Sequence, residues 1–166
     1  MTEFSGKTAV ITGGGSGIGR AMGELFLAKG MNVVLADIEK NALDATVAAL
    51  SASGCKCIGV LTDVAKAERG RELADAALAE FGAIHIACNN AGVFAGGLLW
   101  EQSLADFQWQ LDVNVWGVIH GIRTFVPLMA AQGDECHIVN TASMAAVTAM
   151  PYSGIYHMSK HAVLAL

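Results

Sequence analysis

Residues 8–19 read Thr8-Ala9-Val10-Ile11-Thr12-Gly13-Gly14-Gly15-Ser16-Gly17-Ile18-Gly19. The first five form a short apolar strand that runs straight into glycine. From Gly17 the period changes to that of a helix, with Ile18, Met22, Leu25, Phe26 and Lys29 on one face and Gly30 as a C-terminal stop. Strand, glycine turn and helix in that order set the turn at the carboxyl end of a strand and at the positive end of a helix dipole. Backbone N–H groups gathered there bind a diphosphate, and glycine is needed because side chains would block its approach. Gly13, Gly15, Ser16, Gly17, Ile18 and Gly19 are therefore the expected contacts, and Gly19 also lets the helix pack closely on the sheet. The spacing, T-G-x-x-x-G-x-G, is wider than the G-x-G-x-x-G fingerprint.

Downstream the pattern repeats as strand and helix in alternation. Met31 to Ala36 is a second apolar strand ending at Asp37, and Leu43, Val47 and Leu50 mark a helix. Cys57 to Leu61 is a third strand ending near Asp63, followed by a helix through Leu73, Ala77 and Phe81 that Gly82 stops. Ile84 to Cys88 is a fourth strand leading into Asn89-Asn90-Ala91-Gly92. One long helix is then expected, with the stripe Phe107, Leu111, Val115, Val118, Ile122, Phe125 and Met129 and a possible kink at Pro127. His137 to Asn140 is a fifth strand, and a last helix begins near Ile155 and is still running at Leu166. Continuous apolar strands alternating with helices mean an α/β fold: a parallel sheet covered on both faces, in three αβα layers. No repeat, linker or low-complexity segment divides the chain, so residues 1–166 are expected to form one domain.

Composition narrows the function. The 54% hydrophobic and 15% charged content argues against disorder. A net charge of −5 with no run of Lys or Arg argues against nucleic acid as a partner. No apolar leader or membrane-length stretch is visible, so a soluble, cytoplasmic protein is expected, with no membrane partner. Cys55, Cys57, Cys88 and Cys136 lie in or beside strand-like runs and are expected as buried thiols. Cys55-x-Cys57 lacks a second cluster at zinc-site spacing, and no metal is expected.

In parallel α/β sheets ligands bind beyond the carboxyl ends of the strands, where this chain places its unusual residues. Asp37 stands 18 residues past Gly19. A carboxylate there accepts hydrogen bonds from both ribose hydroxyls of an adenosine and repels a 2′-phosphate, which favours NAD over NADP. The bland alternative for Asp37 is a helix cap. Asp63 is placed to bond the adenine amino group, with Val64 against the ring, and it too has the cap as its alternative.

Taken together, Thr12-Gly13-x-x-x-Gly17-x-Gly19, Asn89-Asn90-Ala91-Gly92, Asn114, Ser143 and Tyr156-x-x-x-Lys160 resemble the short-chain dehydrogenase/reductase family, in family order and spacing. The resemblance implies a Rossmann-type doubly wound fold, the cofactor NAD, and catalytic Asn114, Ser143, Tyr156 and Lys160. It also implies that Asn90 and the backbone at Ala91 and Gly92 line the cofactor, and that Lys160 holds the nicotinamide ribose. Asn114 would shape the helix so that a water joins a proton relay through Lys160. The long and last helices would form a homo-tetramer or dimer interface. Family members continue for roughly 80 residues more, so the fold is expected to be truncated after the fifth strand and the start of the following helix.

The residues themselves fit this chemistry. A phenol with a pKa of about 10 is a poor base unless a nearby cation stabilises its phenolate. Lys160 lies one helical turn from Tyr156 on the same face. Ser143 follows the fifth strand, 13 residues before Tyr156, where its hydroxyl bonds the substrate oxygen. Asn114 falls on an apolar helix face and must find partners, whether as a core amide or in the relay. His157 and His161 flank the Tyr–Lys face and point elsewhere. The expected activity is hydride transfer between NAD(H) and an alcohol or ketone, with Tyr156 as base or acid. The alternative is a non-enzymatic dinucleotide-binding or scaffolding fragment of the same fold. Trp100, Met144, Met150 and Tyr152 are open between an apolar pocket and core packing.

Overall fold

The computed structural model describes every residue except 52, 53 and 55; Cys55 and the Cys55-x-Cys57 reading lie outside the described residues. The elements in chain order are β1 (Thr8–Thr12), α1 (Gly17–Ala28), β2 (Asn32–Asp37), α2 (Lys40–Ser51), β3 (Cys57–Leu61), α3 (Ala67–Phe81) and β4 (Ile86–Asn89). They continue with α4 (Leu104–Leu111), a π turn (Asp112–Trp116), α5 (Gly117–Gln132), β5 (His137–Asn140), a 3₁₀ turn (Met144–Ala146) and α6 (Gly154–Ala165). The five strands form one parallel sheet in the order β3-β2-β1-β4-β5. The order reverses between β1 and β4, which opens a crevice at their carboxyl ends.

Side chains alternate across a strand, so each central strand feeds two cores. Ala9, Ile11, Val33 and Leu35 pack on one face with Leu27 of α1 and Leu43 of α2. Val10, Val34, Ala36 and Ala87 pack on the other with Leu73 and Ala77 of α3 and Phe125 and Met129 of α5. Full burial of a Leu, Ile or Phe side chain contributes about 1.5–3 kcal/mol, so these two layers fix which strands are central. Cys57 and Cys88 are buried and Cys136 is half-buried. Burial pushes the Cys88 thiol up to about 12, which leaves it inert. Glycine closes α3 as expected, with Gly82 in the left-handed region at φ 79°.

The long helix differs from expectation. It is two α-helices joined by a π turn, and α5 runs through Pro127. The fully buried line is Gln110, Asn114, Val118, Gly121, Phe125 and Met129, whereas Leu111 and Val115 are only half-buried. A π turn inserts one extra residue, so the face ahead of it is offset by one position. Expected and observed stripes share Val118, Phe125 and Met129, with Gly121 buried and Ile122 only half-buried between them. The offset carries two amides into the interior in place of two aliphatic side chains. Among the described residues no helix is long and apolar enough to cross a membrane.

Candidate active site

The crevice is built from the ends of β1, β4 and β5. The Thr12 hydroxyl donates to the Cys88 carbonyl at 3.2 Å and accepts the N–H groups of Asn90 (2.9 Å) and Ala91 (3.1 Å). The Asn90 amide donates to the Thr12 carbonyl at 2.9 Å, and its oxygen accepts the Thr141 hydroxyl at 3.2 Å. These bonds bring the turns after the three strands together.

The glycine turn is shaped by close approach. A Cβ at Gly13 would stand 2.9 Å from Ala91 Cα, and one at Gly19 would overlap the Gly13 carbonyl oxygen. Gly19 is thus required by the turn itself. Gly17 has φ +50° and open space about it. Ser16, in the N-cap position of α1, makes no side-chain cap, so its hydroxyl is not spent on the helix.

Asp37 and Gly15 are one unit. The Gly15 N–H donates to Asp37 Oδ2 at 2.8 Å, and the Glu39 N–H donates to Asp37 Oδ1 at 3.0 Å. The Gly15 carbonyl accepts the buried Thr46 hydroxyl at 2.7 Å. A Cβ on Gly15 would stand 2.9 Å from the carboxylate. Since α2 starts at Lys40, Asp37 is not its cap; the carboxylate is held at the rim of the crevice from two sides. Asp63 accepts the Ala65 N–H at 3.1 Å in a local turn, ahead of α3, whose N-cap position is Lys66. Val64 packs where a Cβ on Gly117 would be 2.9 Å from its Cγ2, and its carbonyl accepts His120 Nδ1–H at 3.1 Å.

The far wall carries Ser143, Tyr156 and Lys160. Lys160 is 4% exposed, and its Nζ donates to the Thr141 carbonyl at 2.8 Å while lying 5.8 Å from the centroid of the Tyr156 ring. Burial lowers the Lys160 pKa below the ordinary lysine value. An ammonium has three donors, and one carbonyl uses only one of them. Phe94 meets Tyr156 edge-on, with centroids 5.3 Å apart at 86°. Ser143 Oγ accepts the Ala145 N–H at 3.1 Å, which leaves its own hydrogen to donate. Asn114, in the π turn and fully buried, is completely paired. Its oxygen accepts the Val93 N–H at 2.8 Å, and its amide donates to the Val93 carbonyl at 2.9 Å and to Ser159 Oγ at 3.0 Å. A Cβ on Gly92 would meet Asn114 Oδ1 at 3.4 Å and Lys160 Nζ at 3.5 Å, so glycine keeps the space between them clear.

These features enclose one cleft of about 880 Å³. Gly13, Ser16, Gly17, Ile18, Gly19 and Asp37 line one end. Asp63, Val64, Asn90, Ala91 and Gly92 line it further along, and Ser143, Tyr156 and Lys160 complete it. Two expected residues do not line it: Gly15, whose N–H is committed to Asp37, and Asn114, which sits behind Val93. The cleft adds Ile38, Thr62, Phe94, Trp109 and Thr141. Apolar Ile38, Phe94 and Trp109 carry no mark in sequence that separates them from core residues, whereas Thr141 could have been found from its place at the end of β5. Trp100, Met144, Met150 and Tyr152 are all more than 60% exposed, outside the core that residues 1–166 form. Trp100, Met150 and Tyr152 line a second cavity of about 350 Å³ with Leu98 and Leu99.

A family model for short chain dehydrogenases matches residues 7–166. A 2,5-dichloro-2,5-cyclohexadiene-1,4-diol dehydrogenase of Sphingobium indicum is 44% identical over 100% of this chain and 66% of its own. The putative oxidoreductase SadH of Mycobacterium tuberculosis is 39% identical over 98% of this chain and 59% of its own. Among solved structures, a short chain dehydrogenase/reductase from Burkholderia phymatum in complex with NAD has a TM-score of 0.98 and 53% identity, covering 99% of this chain and 59% of that one. The chain therefore spans 59–66% of the length of these relatives.

Proposed function

The chain belongs to the short-chain dehydrogenase family, and from that premise we propose that residues 1–166 form a single NAD(H)-binding domain of a protein that moves a hydride between NAD(H) and a small alcohol or carbonyl compound. The observation that carries this reading is that one cleft holds Ser143, Tyr156 and Lys160 at one end and the glycine turn with Asp37 at the other. A nicotinamide cofactor bound there supplies the hydride acceptor or donor.

The chain's own groups supply the rest. The turn offers a diphosphate the backbone around Gly17 and the unspent Ser16 hydroxyl, without side-chain obstruction. Asp37, pinned by two N–H donors, presents its carboxylate to the adenosine ribose and repels a 2′-phosphate. Ser143 donates its hydroxyl hydrogen to the substrate oxygen. Tyr156 takes or returns the substrate's hydroxyl proton, and the buried Lys160 ammonium lowers the cost of its phenolate. Asn114 acts from behind, by holding the Val93 segment that carries Phe94 against Tyr156. Trp116 and Met158, each nearly half exposed on the π turn and α6, support a homo-oligomer.

Titration of the chain with NADH and, in parallel, NADPH tests the reading. Saturable binding that favours NADH is expected, and Asp37→Arg should move the preference towards NADPH by about tenfold or more, the scale of one charged interaction. Selectivity unchanged in Asp37→Arg would reduce Asp37 to a turn former, and binding of neither nucleotide would overturn the proposal that residues 1–166 bind the cofactor by themselves.

A further inference from the structure

His157 directly follows the proposed base, yet the chemistry above gives it no role. Its ring is buried, at 7% exposure, and both nitrogens are engaged. Nδ1 pairs with the Ala145 carbonyl at 2.9 Å, and Nε2 with the Met150 N–H at 3.1 Å. The partners decide the tautomer. Met150 offers only a donor and Ala145 only an acceptor, so the ring is neutral and carries its hydrogen on Nδ1.

These two bonds span the connection between β5 and α6. At its near end, the Ala145 N–H reaches Ser143 Oγ at 3.1 Å, so one residue is held by Ser143 on one side and by His157 on the other. At its far end, Met150 leads to Tyr152, whose φ of 64° is rare for a residue with a side chain. The Tyr152 carbonyl accepts the Gly97 N–H at 2.8 Å, which ties the strained residue to the opposite wall of the second cavity. His161 Nδ1 in turn donates to the His157 carbonyl at 2.8 Å, steadying the helix turn that presents the ring.

We propose that His157 is a positioning residue that splints the 143–153 segment: through Ala145 it orients the Ser143 hydroxyl, and through Met150 it holds the Met150–Tyr152 wall. The functional half of this proposal rests on Ser143 being the group that bonds the substrate oxygen; the splint itself does not.

The two tethers are separable. Asparagine places an N–H where Nδ1 stands, and glutamine places an acceptor where Nε2 stands. In the wild-type chain, long-range ¹H–¹⁵N spectra at neutral pH should show His157 neutral with its hydrogen on Nδ1. In His157→Asn, amide exchange at Met150 should quicken about tenfold or more, because its N–H loses its acceptor. In His157→Gln, Met150 should stay protected and the Ala145 N–H, bonded to Ser143 Oγ, should quicken as the loss of the bond to the Ala145 carbonyl loosens that turn. With NAD⁺ and cyclohexanol as probe substrates, His157→Gln should lower kcat about tenfold at nearly constant KM, and His157→Asn should chiefly raise KM. An Nε2–H imidazole in the wild type, or the same exchange pattern in both variants, overturns the splint. The wild-type spectrum decides the tautomer even where a variant does not fold. A protein inert towards every alcohol would sink the hydride-transfer reading instead, with the spectra and exchange rates still deciding the tethers.

Discussion

Replacing Asn114 by alanine removes the partners of both backbone groups of Val93, the N–H bonded at 2.8 Å and the carbonyl at 2.9 Å. Asn114 has no exposed surface, so water does not simply take its place. A buried polar group left unpaired costs about 1–3 kcal/mol. Ser159 loses a bond as well, but its hydroxyl keeps the Tyr156 carbonyl at 2.8 Å, so it adds little. Two orphaned groups therefore cost about 2–6 kcal/mol, and the half-buried position of Val93 favours the lower part of that range. For a chain of this size each kcal/mol lowers Tm by about 2–4 °C, which gives a fall of roughly 10 °C. Thermal unfolding followed by circular dichroism measures it directly. Asn114→Asp is the informative companion: it keeps an acceptor for the Val93 N–H but sets a carboxylate oxygen against the Val93 carbonyl, and should be no more stable than the alanine variant. A fall of less than about 2 °C in Asn114→Ala would mean that the Val93 groups find other partners, and that the amide in the π turn does not hold this wall of the cleft.

Three further outcomes are expected. Tyr156→Phe in the whole protein should abolish turnover while NADH still binds; measurable turnover in steady-state assays would remove Tyr156 from the proton step. Gly19→Ala drives a methyl group into the Gly13 carbonyl oxygen, and should weaken NADH binding at least about a hundredfold or prevent folding, so an unchanged binding isotherm from a folded variant would refute the turn geometry. His85 accepts the Thr8 N–H on Nδ1 at 3.1 Å, and burial, then Lys7, hold its pKa below the ordinary 6.5, against an opposing pull from Asp134. Below about 6.5 the unfolded chain takes up a proton that the folded chain resists, so stability should fall as the pH drops through 6.5 towards the folded value. Urea unfolding across this range should show that slope in the wild type and a flatter one in His85→Asn.

Much of the fold is legible along the chain because each element announces itself locally. Thr8–Thr12 reads as a strand from its apolar run, Gly30 and Gly82 mark helix ends that they do terminate, and Tyr156 and Lys160 share a face by spacing alone. The glycine turn could be placed against a ligand because only glycine tolerates the backbone it needs. The π turn escaped this reading: one extra residue in a helix leaves no local signature, and it moved Gln110 and Asn114 into positions that periodicity assigns to Leu111 and Val115. Asn114 stood out as a polar residue on an apolar stripe, but its partner Val93 lies 21 residues away.

The sequence by itself determined the alternation of strands and helices, the residues on the buried strand faces, and the chemical character of the residues at the strand ends. These follow from period, conformational tolerance and side-chain chemistry, which belong to one element at a time. Only the tertiary structure decided that Gly15 spends its N–H on Asp37, that Thr12 ties the end of β1 to β4, that Thr141 receives Lys160, and that both nitrogens of His157 are tethers. Most of those bonds join groups 19 to 78 residues apart, and even His157 reaches only into an irregular segment 7 to 12 residues away. Such partners are selected by where the ends of separate elements meet, which no local repeat in the chain encodes.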